Sequence, residues 1–463
     1  MRIINILLIC AAANLAYARP DLLNNATDAD TEAAETPCPF ADFWFDLAST
    51  EDGDSDGLDD NTPIAEESAQ QEATEQTSSF VLKGSASNNT ASTMELRRNN
   101  APTKKKRVFR NGNKRKKKQS STGGGTPNIF LPNLNQNGGK QVRSHRCFTI
   151  SVYDEIDADV MMIQNSISDL RQRGSFLGGI LRLAAHDAMD YDPRSSPRMG
   201  ADGCYNPNHP NNAGLDFVWS DQSALRQLYV QKYSHISKAD FWVACANAVV
   251  RQTSIGQRLD MKNSFRWGRQ DSASCNGQGN RLPSTQGCSE TEDVFLNRMG
   301  MTWEDAVALM GAHTLGHGNQ DNSGHQGTWA PNTREATVFD KKYYEQLFMN
   351  NWRISGQGRS QDWRTGNLSN QRMMLHTDVC LAYNIDSGAR CCTTGNFQCR
   401  QCPRYPSNSP RKAAERAVLK MLGGSPGNTN NDPFYNAFEV AWNKMTSAGQ
   451  NNLLPLTTTD CWL

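Results

Sequence analysis

The sequence from residue 143 onward predicts a mainly α-helical domain of about ten helices with long, disulfide-braced loops. Two observations predict it: apolar residues recur at helical spacing in one stretch after another, while period-two alternation is scarce. A third supplies the bracing. The chain of 463 residues holds 13 cysteines, and setting aside Cys10, in the N-terminal apolar run, leaves an even twelve.

Helical periodicity first appears over Val160–Leu170, then over Phe176–Met189, Leu215–Tyr233 and Lys238–Val250. Thr302 precedes the apolar run Trp303–Met310 as an N-cap, with Asp305 at the third helical position. Later helices are expected over Asp340–Asn351, Pro410–Leu422 and Asp432–Ser447. No repeat of fixed period is visible, and no stretch beyond the N-terminus approaches the ~18 uninterrupted apolar residues of a membrane span.

The chain is 37% apolar, with a mean hydropathy of −0.66. Its zero net charge is a cancellation. Residues 20–78 hold 17 acidic and no basic side chains, residues 97–118 hold 12 basic and no acidic ones, and residues 141–463 carry 32 basic against 30 acidic. Whole-chain charge therefore says nothing of partners.

Residues 1–18 read as a secretory signal: Arg2, an apolar run Ile4–Ala13, then small residues at Ala16 and Ala18. Secretion is the expected localisation, and the cysteines agree with an oxidising compartment. A zinc knot around Cys391, Cys392, Cys399 and Cys402 is the alternative use of four of them, although no histidine follows at suitable spacing. Asn25, Asn88 and Asn367 head glycosylation sequons.

Residues 19–142 are expected to be disordered, acidic then basic, and are a candidate propeptide; such segments bury too little surface to offset their ordering entropy. The cluster Phe40–Phe45 is the apolar exception. The basic runs Lys104–Arg107 and Lys114–Lys118 fit a solvated tail, a processing site or an anchor to anionic matrix. Nucleic acid is not an expected partner.

Two stretches carry chemistry. In Leu181-Arg182-Leu183-Ala184-Ala185-His186-Asp187, Arg182 and His186 are four apart and share one helix face, setting a fixed cation beside a titratable base. Met310-Gly311-Ala312-His313-Thr314-Leu315-Gly316-His317-Gly318 ends the helix begun at Trp303. Its small residues, Gly311, Ala312, Gly316 and Gly318, are read as room for a bulky flat group against the backbone.

Together these stretches resemble the plant-type haem peroxidase superfamily, and are similar above all to cytochrome c peroxidase and ascorbate peroxidase. Arg182–His186 matches the distal motif R-L-A-W-H except at Ala185, and Met310–Gly316 matches the proximal motif. Asn322–Trp329 is similar to N-S-G-x-x-G-x-W. Met373–Asp378 is similar to M-M-L-P-T-D, with His376 in place of proline. Asn212-Ala213-Gly214-Leu215, Trp267-Gly268-Arg269-Gln270-Asp271 and Asn280-Arg281-Leu282-Pro283 also match, in order, over roughly residues 150–450.

The resemblance implies haem b between a distal and a proximal helix. His313 would be the iron ligand, with Asp378 on its other nitrogen. Trp329 would lie beside it, as an electron relay or as plain packing. On the open face His186 would be the general acid–base, Asn212 would fix its tautomer, and Arg182 would stabilise charge on the leaving oxygen and then the ferryl oxygen. Ala185, Thr314, Gly316 and His317 would line the cofactor. Ala185 stands where a distal Trp or Phe is usual, which implies a roomier pocket. His317 stands where a Lys or Arg neighbours a haem propionate. Asn322 replaces the arginine that holds ascorbate, so ascorbate is not the expected donor; nor, for a secreted chain, is cytochrome c.

Calcium is the second cofactor considered, at Asp187, Gly200 and Asp202, with Cys204 where a serine ligand is usual. Thr314, Asn332 and Asp340 echo a second cation site. The expected function is a secreted peroxidase that removes hydrogen peroxide under oxidative stress and oxidises small, phenolic one-electron donors. The alternative is a non-enzymatic haem-binding or matrix-anchored protein.

Overall fold

The computed structural model describes residues 147–285, 287–366, 371–385, 391–393, 400–424 and 427–458. The leader, the acidic and basic stretches, Phe40–Phe45, the three sequons, Cys38, Cys399 and Cys461 lie outside the described residues.

The described residues are mainly helical. Helix α1 (Ile150–Ser166) starts at Thr149, whose Oγ1 accepts the Val152 N–H at 3.2 Å. Helix α2 (Leu170–Met189) starts at Asp169, which accepts the Gln172 N–H at 2.8 Å. The periodic stretch 160–170 therefore spans two helices. Ile167 is extended (φ −90°, ψ 101°), and the Asp169 cap turns the chain into α2.

The predicted helix 215–233 is likewise broken. A short 3₁₀ turn, Leu215–Phe217, is followed by a loop in which Ser223 Oγ lies 2.8 Å from the Val218 carbonyl, then by α3 (Ala224–Leu228) and a wider helical turn, Tyr229–Tyr233. Apolar spacing survives these breaks; the serine hydroxyl, which competes for backbone partners, does not show in it.

Helix α4 (Lys238–Thr253), capped by Ser237, is buried without interruption from Ala239 to Val250 and lies at the centre, with α1 and α2 packed on it. Trp442 Nε1 donates to Asn247 Oδ1 (2.8 Å) and fastens the penultimate part of the chain to it. Strand β1 (Arg266–Trp267) leads to α5 (Cys288–Thr291), which widens into a turn over Glu292–Arg298.

Helix α6 (Trp303–Met310) begins in a full capping box. Asp305 N–H donates to Thr302 Oγ1 (3.2 Å), and Thr302 N–H donates to Asp305 Oδ2 (3.0 Å). Thr302→Ala is expected to lower the unfolding free energy by about 1 kcal/mol, read by urea denaturation; an unchanged midpoint would show the cap to be idle.

After α6 come a tight turn, Gly311–Thr314, α7 (Gln320–Ser323) and α8 (Lys342–Met349). The last is shorter than predicted because Asp340 accepts the Lys342 N–H (3.0 Å) from outside the helix and Asn350 is extended. Strands β2 (Arg353–Ser355), β3 (Asp362–Thr365) and β4 (Arg372–Met374) form an antiparallel sheet in sequence order. Helix α9 (His376–Val379) follows β4 directly. Helices α10 (Lys412–Met421) and α11 (Asp432–Ser447) pack on α6, and strand β5 (Leu454–Pro455) returns antiparallel to β1. The bounds of α11 coincide with those predicted, helped by Pro433 in its first turn.

Disulfides join Cys204 to Cys275, Cys288 to Cys380 and Cys391 to Cys402; Cys147 and Cys392 are also disulfide-bonded. These bonds consume Cys391, Cys392 and Cys402, three of the four thiols a zinc knot would need. Cys245, buried in α4, is the one free cysteine among the described residues. None of their helices is long and apolar enough to cross a membrane.

Candidate active site

Helix α2 and the turn after α6 meet through glycine. A β-carbon built at Gly178 would lie 3.0 Å from the Leu315 carbonyl oxygen, and one at Gly316 would lie 3.2 Å from the Gly174 carbonyl oxygen. Only bare backbone allows this approach, and Gly316 also sits at φ +83°. The contact brings the His186 helix against the segment carrying His313.

On the α2 side, His186 Nε2 lies 3.3 Å from Arg182 Nε, and His186 Nδ1 lies 3.0 Å from Asn212 Oδ1. A guanidinium can only donate, so Nε2 accepts and the ring proton sits on Nδ1, donating to Asn212. Asn212 is fully buried, and its amide nitrogen donates to the Asn206 carbonyl (2.9 Å) and to Gln278 Oε1 (2.6 Å). Its oxygen is thereby turned toward the histidine. Burial first, then the neighbouring Arg182 charge, push His186 down to about 3, so it is neutral at ordinary pH. Arg182 donates from Nη1 to the Ala213 carbonyl (2.9 Å) and from Nη2 to that of Asn211 (2.6 Å).

On the α6 side, His313 Nδ1 is 2.8 Å from Asp378 Oδ1, and the carboxylate is fully buried. Three further groups donate to Asp378: Trp329 Nε1 (2.7 Å), the Tyr343 hydroxyl (2.7 Å) and the Leu375 N–H (2.7 Å). Burial alone would raise this carboxyl; His313 and the other donors outweigh it and hold it below its ordinary value. The indole of Trp329 stacks on His313 at 4.6 Å between centroids, 22° from parallel. Nδ1 thus carries the proton. The imidazole is still 30% exposed, and its Nε2 lone pair has no hydrogen-bond partner among the described residues.

The peroxidase family profile matches residues 162–392. Cytochrome c peroxidase of Candida albicans is 31% identical over 241 residues, which cover 50% of this chain and 61% of that protein. Cytosolic L-ascorbate peroxidase 2 of Oryza sativa subsp. japonica is 31% identical over 201 residues, covering 42% of this chain and 75% of the relative. The chain belongs to the plant-type haem peroxidase family. Cytosolic L-ascorbate peroxidase 1 of Oryza sativa subsp. indica is 34% identical over 174 residues, 36% of this chain and 64% of the relative.

Haem, the family's cofactor, fits the arrangement. An imidazole fixed at Nδ1 by a buried carboxylate, with its other nitrogen open, is what an iron porphyrin requires on one side. His186, a neutral histidine with a fixed tautomer, is carried by the helix packed against the segment that holds His313. Ala185, half-buried on α2, adds only a methyl group to that helix.

The other residues expected to line the cofactor are placed as follows. Thr314 is fully buried, with its hydroxyl 3.4 Å from both the Val338 carbonyl and Asp340 Oδ1, so its side chain faces inward. Gly316 is covered by α2. A β-carbon at Gly311 would strike the Tyr344 hydroxyl (2.2 Å), and one at Gly318 would strike Met373 Sδ (2.7 Å). These glycines admit the protein's own side chains and backbone. His317 Nε2 accepts from Arg171 Nε (3.1 Å) and lies 3.3 Å from Ser175 Oγ. Burial and the Arg171 charge push it down to about 4. Arg171 therefore sets a cation beside His317.

Among the cation candidates, both Asp187 oxygens accept backbone N–H groups, of Gly203 and Cys204, at 3.0 Å. Burial and the charge of Asp202 push Asp187 well up, and Asp202 Oδ1 is buried without a partner. Gly200 (φ +110°) turns the loop beside Tyr191 and the Ala448 carbonyl. Cys204 is committed to a disulfide. On the proximal side Asn332 does not join Thr314 and Asp340: its Oδ1 accepts the Arg334 (3.0 Å) and Glu335 (3.1 Å) N–H groups, while Lys342 Nζ stands 3.4 Å from Asp340. Among the described residues no group of three His, Cys, Asp or Glu side chains could hold a metal ion.

Sequence reading missed Gln278 and Tyr343. Each reaches the site across a long stretch of chain, and neither belongs to a motif at fixed spacing from the histidines.

Proposed function

We propose that the chain is a haem peroxidase that reduces hydrogen peroxide to water and then takes electrons from small one-electron donors. The observation that carries this reading is the pairing of two imidazoles in complementary states, His313 with a free nitrogen and a buried carboxylate behind it, and His186 neutral with its proton fixed on Nδ1. Bound haem would supply the redox chemistry, with His313 as its ligand.

The protein's own residues handle protons and charge. His186 Nε2 is held by a long 3.3 Å contact to Arg182, which a peroxide O–H can replace. His186 takes the proton from the oxygen that attacks and delivers it to the oxygen that leaves. Arg182, anchored on two carbonyls, meets the negative charge developing on the leaving oxygen. Asn212 keeps the imidazole in the tautomer that leaves Nε2 free to accept. Trp329, stacked on His313, is placed to relay electrons.

Gln278 holds Asn212 in turn. Gln278→Leu removes one acceptor shared by Asn212 Nδ2 and the Asn206 N–H. The peroxide reaction is expected to slow about tenfold with haem affinity kept; stopped-flow absorption reads it, and an unchanged rate refutes the tethering role.

Export to an oxidising compartment is part of this proposal, supported by the disulfides. So are removal of peroxide under oxidative stress, phenolic donors, and residues 19–142 as a segment apart, with its basic run as an anchor to anionic matrix. Calcium has narrower support: Asp187 and Asp202 share one buried place, and a divalent ion there would offset two carboxylates that otherwise oppose each other. The test of function is hydrogen-peroxide-dependent oxidation of a phenolic dye by the haem-loaded protein. Haem binding without turnover would instead favour a haem carrier.

A further inference from the structure

Asp378 carries more donors than its two motif partners. A carboxylate offers about four lone-pair sites, and here four donors fill them: His313 Nδ1 and the Tyr343 hydroxyl on Oδ1, Trp329 Nε1 and the Leu375 N–H on Oδ2. The phenol and the imidazole share one oxygen, at 2.7 Å and 2.8 Å. Tyr343 is itself fully buried, its ring edge-on to His313 at 6.0 Å between centroids, so no water competes for its proton.

We infer that Tyr343 is a positioning residue: by sharing Asp378 Oδ1 it limits how strongly the carboxylate draws the His313 N–H proton, and so sets the ferric–ferrous balance of the bound haem. The inference rests on the haem-peroxidase reading above. A carboxylate relieved of the phenol turns its full charge on the imidazole. The imidazole gains anionic character and favours the ferric state. Tyr343 thus opposes the effect for which Asp378 is there, and holds it at an intermediate strength.

Tyr344 is the internal control. It is equally buried and neighbours Tyr343, but its hydroxyl lies 3.0 Å from the Val307 carbonyl and does not reach Asp378. The experiment compares haem-loaded wild type, Tyr343→Phe and Tyr344→Phe by spectroelectrochemistry and by the iron–histidine stretch in the resonance Raman spectrum of the ferrous form.

At the wild-type midpoint, Tyr343→Phe is expected to hold ferric over ferrous by about threefold to tenfold, with the stretch at higher frequency. Tyr344→Phe should leave both readings where they were. Site-specific 3-fluorotyrosine at position 343 keeps the fold and strengthens the donor, and should move the balance the other way. Equal shifts in both phenylalanine variants, or no shift with either change at 343, overturn the inference while leaving the haem reading intact. Failure of the wild-type chain to take up haem overturns both.

Discussion

His313→Ala is expected to fold and to lose its haem. Asp378 keeps three donors in that variant, Trp329, Tyr343 and the Leu375 N–H, so the buried carboxylate is not stranded. What disappears is the nitrogen that faces the cofactor. Haem affinity should fall by roughly 10²-fold or more, and desalting after loading should strip the Soret absorption. Added imidazole should restore part of it by entering the vacated space beside Trp329. A variant that retains haem as tightly as wild type would remove His313 from its assigned role.

His186→Ala is expected to do the opposite: to keep haem and to lose the peroxide step. Loss of a positioned acid–base costs about 10²- to 10⁴-fold, measured as the second-order rate of the Soret change with hydrogen peroxide. The pH profile carries a second signature. The base works only when neutral, and burial and Arg182 push its pKa down to about 3. The wild-type rate should therefore stay level from neutral pH to about pH 4 and fall as pH drops through about 3. A fall centred near the ordinary histidine pKa, ~6.5, would mean that His186 is solvated and not held down by its surroundings and Arg182. An unaltered rate in the alanine variant would refute the assignment itself.

Legibility in the sequence followed the range of the interaction. The Thr302 capping box and the bounds of α11 are local, set by residues three or four apart, and were readable from spacing and capping chemistry. The break between α1 and α2 was not, because apolar spacing runs through it and the turn is made by one aspartate side chain. The motifs held the residues that the structure joins in two hydrogen-bonded groups, Arg182 with His186 and Asn212, and His313 with Asp378 and Trp329. Their supports were hidden. Gln278 lies 66 residues from Asn212, and Tyr343 lies 35 from Asp378. Neither has a spacing that points to its partner.

The neighbours of the proximal glycines were hidden for a related reason. A sequence shows that a residue is small but not what faces it, and Tyr344, Met373 and helix α2 fill the spaces beside Gly311, Gly318 and Gly316. Arg171 reaches His317 from helix α2, a pairing that the proximal motif alone does not reveal.

The most direct test of the whole account is titration of the purified chain with ferric haem, followed by absorption and electron paramagnetic resonance. One haem per chain is predicted, high-spin, bound by a single histidine, with a sixth position that takes up cyanide. A chain that stays colourless, or a low-spin spectrum showing both imidazoles on the iron, would contradict it.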